Sequence, residues 1–151
     1  MGVRLSEDEA WHELEVAHTG ILTTMRGDGW PVPLPVWFVA RDRRVYVRTP
    51  AQTKKVGHVR NDPRASFLVE RGERWIDLCA VMLYATVDFV APGDEYEAIV
   101  DAIEAKYADF RMETKEVPDA TRQHYAGNAE ILRLTPTGRL LTWDNSRLRQ
   151  P

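Results

Sequence analysis

Prolines stand at positions 31, 33 and 35 of this 151-residue chain, and that alternation narrows the folds open to it. A proline ring locks φ and removes the backbone N–H, so residues 31–40, PVPLPVWFVA, are excluded from a regular helix and from the middle of a sheet. In an extended run the three prolines share one face, and Val32, Leu34, Val36 and Phe38 share the other. The expectation is an edge strand, or one bulged through its first half.

An edge strand needs neighbours, and the chain supplies them. Ile21–Met25 reads as a strand, followed by a hairpin turn at Gly27-Asp28-Gly29, where glycine accepts positive φ. Val45–Arg48, Ala65–Glu70, Trp75–Val90, Ala129–Leu134 and Leu140–Trp143 are further extended runs, the long Trp75–Val90 carrying an expected bulge. Helices interrupt them. Ser6-Glu7-Asp8-Glu9 forms a capping box before Ala10, Trp11, Leu14 and Ala17 recur at helical spacing, with Trp11 expected to pack the helix on the barrel. Thr53 to Asn61 is a second helix, stopped by Asp62-Pro63. Pro92-Gly93-Asp94 opens a third, with Tyr96, Ile99, Val100, Ile103 and Tyr107 as its apolar stripe. A further short helix is expected at Asp119–Tyr125. Six or seven strands with hairpin connections imply a mainly β fold, a single domain over 1–151 in which an antiparallel sheet closes into a barrel and so removes its edges.

Composition bears on function mostly by exclusion. A net charge of −3 argues against nucleic acid as partner, because phosphate-backbone binding needs a positive face. No segment has the length and apolarity of a signal peptide or membrane span, and the lone cysteine, Cys79, sits in an apolar run as a packing residue. The expected location is cytoplasmic. His12, His18, His58 and His124 lack metal-ligand spacing, and no nucleophile elbow, phosphate loop or dinucleotide fingerprint is present. No acid or base emerges, so any hard chemistry falls to a cofactor.

The most informative stretch is Val45–Glu70. Here a strand ends in Arg48-Thr49, and Thr53-Lys54-Lys55 then opens a helix. Cations at a helix start oppose the helix dipole unless an anion sits between them and the free amides. The same lysines also fit a solvated surface helix, and spacing alone leaves both readings open. Trp37, Trp75 and Trp143 lie in or beside extended runs, as aromatic walls for a flat ligand or as core and contact residues.

The ordered segments Gly20-Ile21-Leu22-Thr23-Thr24, Asp28-Gly29-Trp30-Pro31, Pro35-Val36-Trp37-Phe38, Val45-Tyr46-Val47-Arg48-Thr49, Thr53-Lys54-Lys55-Val56 and Asn61-Asp62-Pro63-Arg64-Ala65 together resemble the pyridoxamine 5′-phosphate oxidase-like split-barrel superfamily. The likeness is strongest to its actinobacterial deazaflavin (coenzyme F420)-dependent oxidoreductases. It implies a homodimer of six-stranded antiparallel split barrels of the FMN-binding type, with cofactor sites at the interface. It also implies that Pro35, Val36 and Trp37 lie along the ring system, and that Arg48, Thr49, Thr53, Lys54 and Lys55 hold the phosphate. By the same resemblance Trp143 and Arg147 touch the flavin from the other chain. True pyridoxamine phosphate oxidases carry an arginine and a lysine at the ends of the segment that here reads Pro33-Leu34-Pro35-Val36-Trp37-Phe38. Both cations are absent, which argues against the vitamin B6 oxidase activity and favours F420 over FMN. The resulting expectation is an oxidoreductase passing hydride from reduced F420 to a small conjugated substrate. Its rivals are an FMN-dependent oxidoreductase, a non-catalytic barrel binding flavin, haem or tetrapyrrole, and a structural dimer with an empty site. The loop 111–127 and the residues around Trp75 are expected to shape the substrate pocket.

Overall fold

The computed structural model describes residues 3–112, 117–120 and 128–149. In chain order the elements are α1 (Glu7–Val16), β1 (Gly20–Met25), β2 (Pro31–Val36), β3 (Val39–Arg41), β4 (Arg44–Pro50), α2 (Lys54–Asn61), β5 (Arg64–Arg71), β6 (Cys79–Phe89), α3 (Asp94–Tyr107), β7 (Ala129–Pro136) and β8 (Leu141–Asp144). All pairings are antiparallel, in the order β2-β1-β5-β6-β7-β4-β3, with β8 beside β6. The six longer strands, β2-β1-β5-β6-β7-β4, form the split barrel, and β3 and β8 are short additions.

The proline strand is an edge, as its missing N–H groups require: β2 pairs only with β1. At the opposite edge of the sheet lies β3, yet only Trp37 and Phe38 separate β2 from β3 in the chain. The three steps from Val36 to Val39 span only about 10–11 Å even when extended. The sheet must therefore curl until its two edges meet at Trp37-Phe38. The seam of the barrel and its split are consequences of that short connection, and the expected single run over 31–40 breaks there for the same reason.

Inside the curl, Leu22, Phe38, Val45, Val47, Phe67, Val81, Leu83, Leu132 and Leu134 form one core, which α1 closes with Ala10, Trp11 and Leu14. The capping box at the start of α1 is present, with Glu9 N donating to Ser6 Oγ at 3.2 Å and Ser6 N to Glu9 Oε2 at 2.7 Å. A second core lies on the outer side of β4 and β7, where Ile99, Ile103 and Tyr107 of α3 meet Val39, Tyr46 and Ile131. Cys79 is buried, and burial pushes its thiol up to about 11.

One long run is shorter than its sequence suggested. Trp75–Asp77 is a single 3-10 turn, and the strand begins only at Cys79. Gly72 has φ +106°, the Asp77 N–H donates to Arg74 O at 2.8 Å, and Trp75 is 68% exposed, so the sheet offers that indole no burial. The helix expected at Asp119–Tyr125 lies largely outside the described residues.

Gly20 opens β1 against the core ring of Phe67. A Cβ there would overlap the ring of Phe67, which is fully buried and packs edge-on against Phe38 at 4.8 Å between centroids. Gly20→Ala is expected to destabilise the fold by about 1–3 kcal/mol, as overpacking of a dense core does. Phe67→Leu in the same chain should return part of that loss. Denaturant midpoints of the two single variants and the double variant test it, and strict additivity would refute the clash.

Candidate functional site

A cleft of about 800 Å³ opens at the seam. One wall is the end of β2 and the link beyond it, Pro35, Val36 and Trp37; the other is the end of β4, Val47 to Pro50, with Thr53 and Lys55 at the start of α2. Thr19, Ile103, Arg111, Asn128 and Ala129 complete the lining. Three cations line it, Arg48, Lys55 and Arg111, and among the described residues no carboxylate does.

The helix-start end is held by a chain of hydrogen bonds. Lys55 Nζ donates to Thr49 Oγ1 at 3.3 Å, and Thr53 Oγ1 donates to Pro50 O at 3.0 Å. The hydroxyls of Thr49 and Thr53 lie 3.1 Å apart. Each hydroxyl has one proton, so Thr49 donates to Thr53 while accepting from the lysine. Thr53 is the N-cap residue of α2, but its hydroxyl is turned back toward Pro50 and makes no cap bond to the helix amides. The first amides of α2 therefore face outward without a side-chain cap, a place suited to an anion. Burial alone pushes the Lys55 ammonium below the ordinary lysine range, with no acid raising it back. A half-buried ammonium, a buried threonine hydroxyl and an uncapped helix start fit the phosphate of a flavin-type cofactor.

The other end is aromatic. Trp37 stacks on Tyr107 with centroids 4.2 Å apart and planes 2° from parallel, and the His18 ring meets both edge-on. Tyr107 is fully buried; its Oη accepts from Phe38 N at 2.8 Å and lies 2.8 Å from His18 O and 2.9 Å from Phe38 O. Lys106 Nζ donates to the same Phe38 carbonyl at 2.9 Å and sits 3.9 Å from the Phe38 ring centroid. The last turn of α3 thus grips the β2–β3 link and sets the plane of Trp37. Arg111 reaches over Trp37, its Cζ 5.6 Å from the ring centroid.

Seven of the ten residues singled out from sequence converge here: Pro35, Val36, Trp37, Arg48, Thr49, Thr53 and Lys55. Lys54 does not line the cleft and stands exposed, because neighbours on a helix point about 100° apart. Trp143 lies on the sheet's outer face opposite Ala80, and Arg147 bonds Glu9 Oε1 at 2.7 Å and Arg4 O at 2.9 Å; neither lines this chain's cleft. Trp75 is also absent from the lining, and its carbonyl accepts from Asn145 Nδ2 at 2.8 Å. Most of the loop 111–127 lies outside the described residues. Sequence reading missed Tyr107 and Lys106 as supports and Arg111 as a lining residue on its own account. The α3 stripe placed Tyr107 in a core, but nothing local said what lay under it.

Burial also holds the Lys106 ammonium down, to about 8 against an ordinary value of 10.5. A base whose pKa falls on folding binds fewer protons folded than unfolded, so its contribution to stability rises with pH between about 8 and 10.5. Cys79 acts oppositely, its contribution fading between 9 and about 11. The difference in melting temperature between wild type and Lys106→Met is therefore expected to move in favour of wild type as pH rises from 8 to 10. A pH-independent difference would contradict the burial of that ammonium.

A curled antiparallel sheet flanked by three described helices, with a cleft at its seam, defines a split barrel. A family model for pyridoxamine 5′-phosphate oxidase matches residues 6–143, and the chain belongs to that family. No curated protein matches the chain. Among solved structures it is similar to the conserved hypothetical protein Rv2991 from Mycobacterium tuberculosis, with TM-score 0.81 and 23% identity over 99% of this chain and 91% of that one. It is also similar to an F420 reductase, with TM-score 0.63 and 20% identity over 86% and 94% of the two chains. The FAD-binding protein from Mycobacterium smegmatis gives TM-score 0.63 and 21% identity over 91% and 98%. Among the described residues no helix is long and apolar enough to cross a membrane.

Proposed function

We propose that this protein is a reductase that uses reduced coenzyme F420, works as a homodimer in the cytoplasm and acts on a small conjugated acceptor. The observation that carries the reading is Lys55, a half-buried ammonium that keeps two N–H groups beyond its bond to Thr49 among the described residues, facing a cleft of about 800 Å³ whose far wall is a rigid indole. When bound, the reduced deazaflavin supplies a hydride; water supplies the proton that completes reduction of the acceptor. The chain binds, orients and excludes water. Lys55, Thr49 and the α2 amides hold the phosphate, with Arg48 beside them. Pro35, Val36 and the Tyr107-backed Trp37 hold the ring in one plane.

Two features favour F420 over FMN. The segment Pro33–Phe38 lacks the two cations of the vitamin B6 oxidases, and the cations that do line the cleft are spread along it rather than gathered on one phosphate. Likeness to an F420 reductase adds support of the same kind.

Self-association is supported by the sheet's outer face. Pro35, Ile21, Leu68, Met82 and Leu141 stand in register across five strands, β2, β1, β5, β6 and β8. This apolar row starts at the cleft wall and runs away from it, with Tyr84 and Trp143 exposed nearby. A second copy covering the row would also close the cleft, and it would bring Trp143 and Arg147 toward the other protomer's site.

Titration of the protein with F420 and with FMN, read by ligand fluorescence, tests the cofactor. Quenching by F420 at lower concentration than FMN, followed by acceptor-dependent oxidation of the reduced form, is the expected result. Preference for FMN would overturn the cofactor assignment, and binding without turnover over a panel of enones and quinones would overturn catalysis.

A further inference from the structure

The cleft has a second anion-seeking centre beside the aromatic wall. Arg48 Nη1 and Arg111 Nη2 approach the same oxygen, Glu104 Oε1, at 3.3 and 3.2 Å. One carboxylate thus neutralises half the charge of two guanidiniums, through contacts at the long end of hydrogen-bonding distance. Each guanidinium carries five N–H donors, so among the described residues most of Arg111's stay available. No carboxylate lines the cleft among the described residues, and Glu104 itself stands outside it, one residue beyond the lining Ile103. The centre is displaced from the helix-start end: Arg111 lies over Trp37, whereas Lys55, Thr49 and Thr53 cluster at the start of α2.

We propose that Arg111 is a specificity-determining residue that anchors a carboxylate on the acceptor, so that the substrate class is a flat, conjugated carboxylic acid. This rests on the reading of the seam as a redox cleft. A ring laid along Pro35–Trp37 with its phosphate on Lys55 leaves Arg111 at the ring end, where the acceptor has to sit to receive a hydride. A planar guanidinium takes a carboxylate through two parallel bonds and fixes the plane of the attached π-system. Glu104 acts as the resident counter-ion that keeps the two arginines together until the acid arrives. A carboxylate at Arg111 has another conceivable source, an acidic tail on the cofactor, and the two differ in whether cofactor and acid bind together.

The test measures cinnamate against cinnamamide by tryptophan fluorescence and calorimetry, on the free protein and on protein saturated with F420. Cinnamate is expected to bind at least about tenfold tighter than the amide, the scale of a charge-assisted pair. Arg111→Gln should abolish the discrimination, Arg111→Lys should restore part of it, and Glu104→Gln should strengthen it by freeing both guanidiniums. Binding of inorganic phosphate, which belongs to the Lys55 end, should not change in Arg111→Gln. Cinnamate should still bind when F420 is present. Equal affinity for acid and amide, or discrimination that survives Arg111→Gln, overturns the proposal, as does displacement of cinnamate by F420. Absence of phosphate and F420 binding in the wild type, with cinnamate discrimination intact, would overturn the cofactor reading and with it the acceptor role, whereas loss of discrimination alone would overturn only the anchor.

Discussion

Lys55→Ala is expected to weaken binding of the phosphate-bearing cofactor by about 10- to 100-fold, the equivalent of one charge-assisted hydrogen bond in a partly buried place. The ammonium is already half removed from water and, among the described residues, bonds the Thr49 hydroxyl alone, 3.3 Å away. An incoming phosphate therefore meets a donor that is already partly desolvated. Folding stability should move the other way. Burial without an acid lowers the lysine's pKa, so at neutral pH the charged side chain costs the free protein stability, and alanine removes that cost. Loss of affinity with unchanged or raised melting temperature separates a binding role from a structural one. Lys54→Ala is the natural companion, because Lys54 shares the helix start but is exposed and outside the lining. Its effect should stay within a few-fold. Equal losses in the two variants, or an unaltered affinity in Lys55→Ala, would remove the phosphate from this end of the cleft.

The second large effect is expected at Met82. It stands on the outer face of β6, opposite Leu68 of β5 and Leu141 of β8. Its strand neighbours Val81 and Leu83 point into the core and are buried, so the alternation along β6 directs Met82 outward. Met82→Lys would set an ammonium in the middle of the face proposed to meet a second copy, and its symmetry mate would sit in the same interface. A buried unpaired charge costs several kcal/mol, enough to turn a stable dimer into monomers at micromolar concentration. The variant should run as a monomer by light scattering with its far-UV spectrum unchanged, and its cofactor affinity should fall because the cleft loses its lid. A variant that stays dimeric, or a wild type that is monomeric, would show that this row of apolar residues meets something else.

Much of this architecture was legible locally. The prolines announced an edge strand, Ser6 and Glu9 announced a helix start, and Thr53-Lys54-Lys55 announced a second one with its charges at the wrong end. These signals act within four residues, through φ, capping and the helix dipole, and need no tertiary partner. Trp75 failed as a strand residue because strand propensity in an apolar run depends on a neighbouring surface to bury against, and the Gly72 turn takes it away from the sheet.

The seam belongs to neither category alone. Its cause is local, a two-residue link between strands at opposite edges, but its effect is global. Only the curled sheet brings β2 beside β4, turns Lys55 inward and Lys54 outward, and sets Tyr107, 69 residues away in the chain, under Phe38 and Trp37. Sequence by itself determined the elements and which side chains carry charge or aromatic surface, because those follow from backbone sterics and short-range hydrogen bonding. Tertiary structure decided which of them face one another across the cleft, because that depends on burying two apolar faces at once around a barrel that its own short link forces to close.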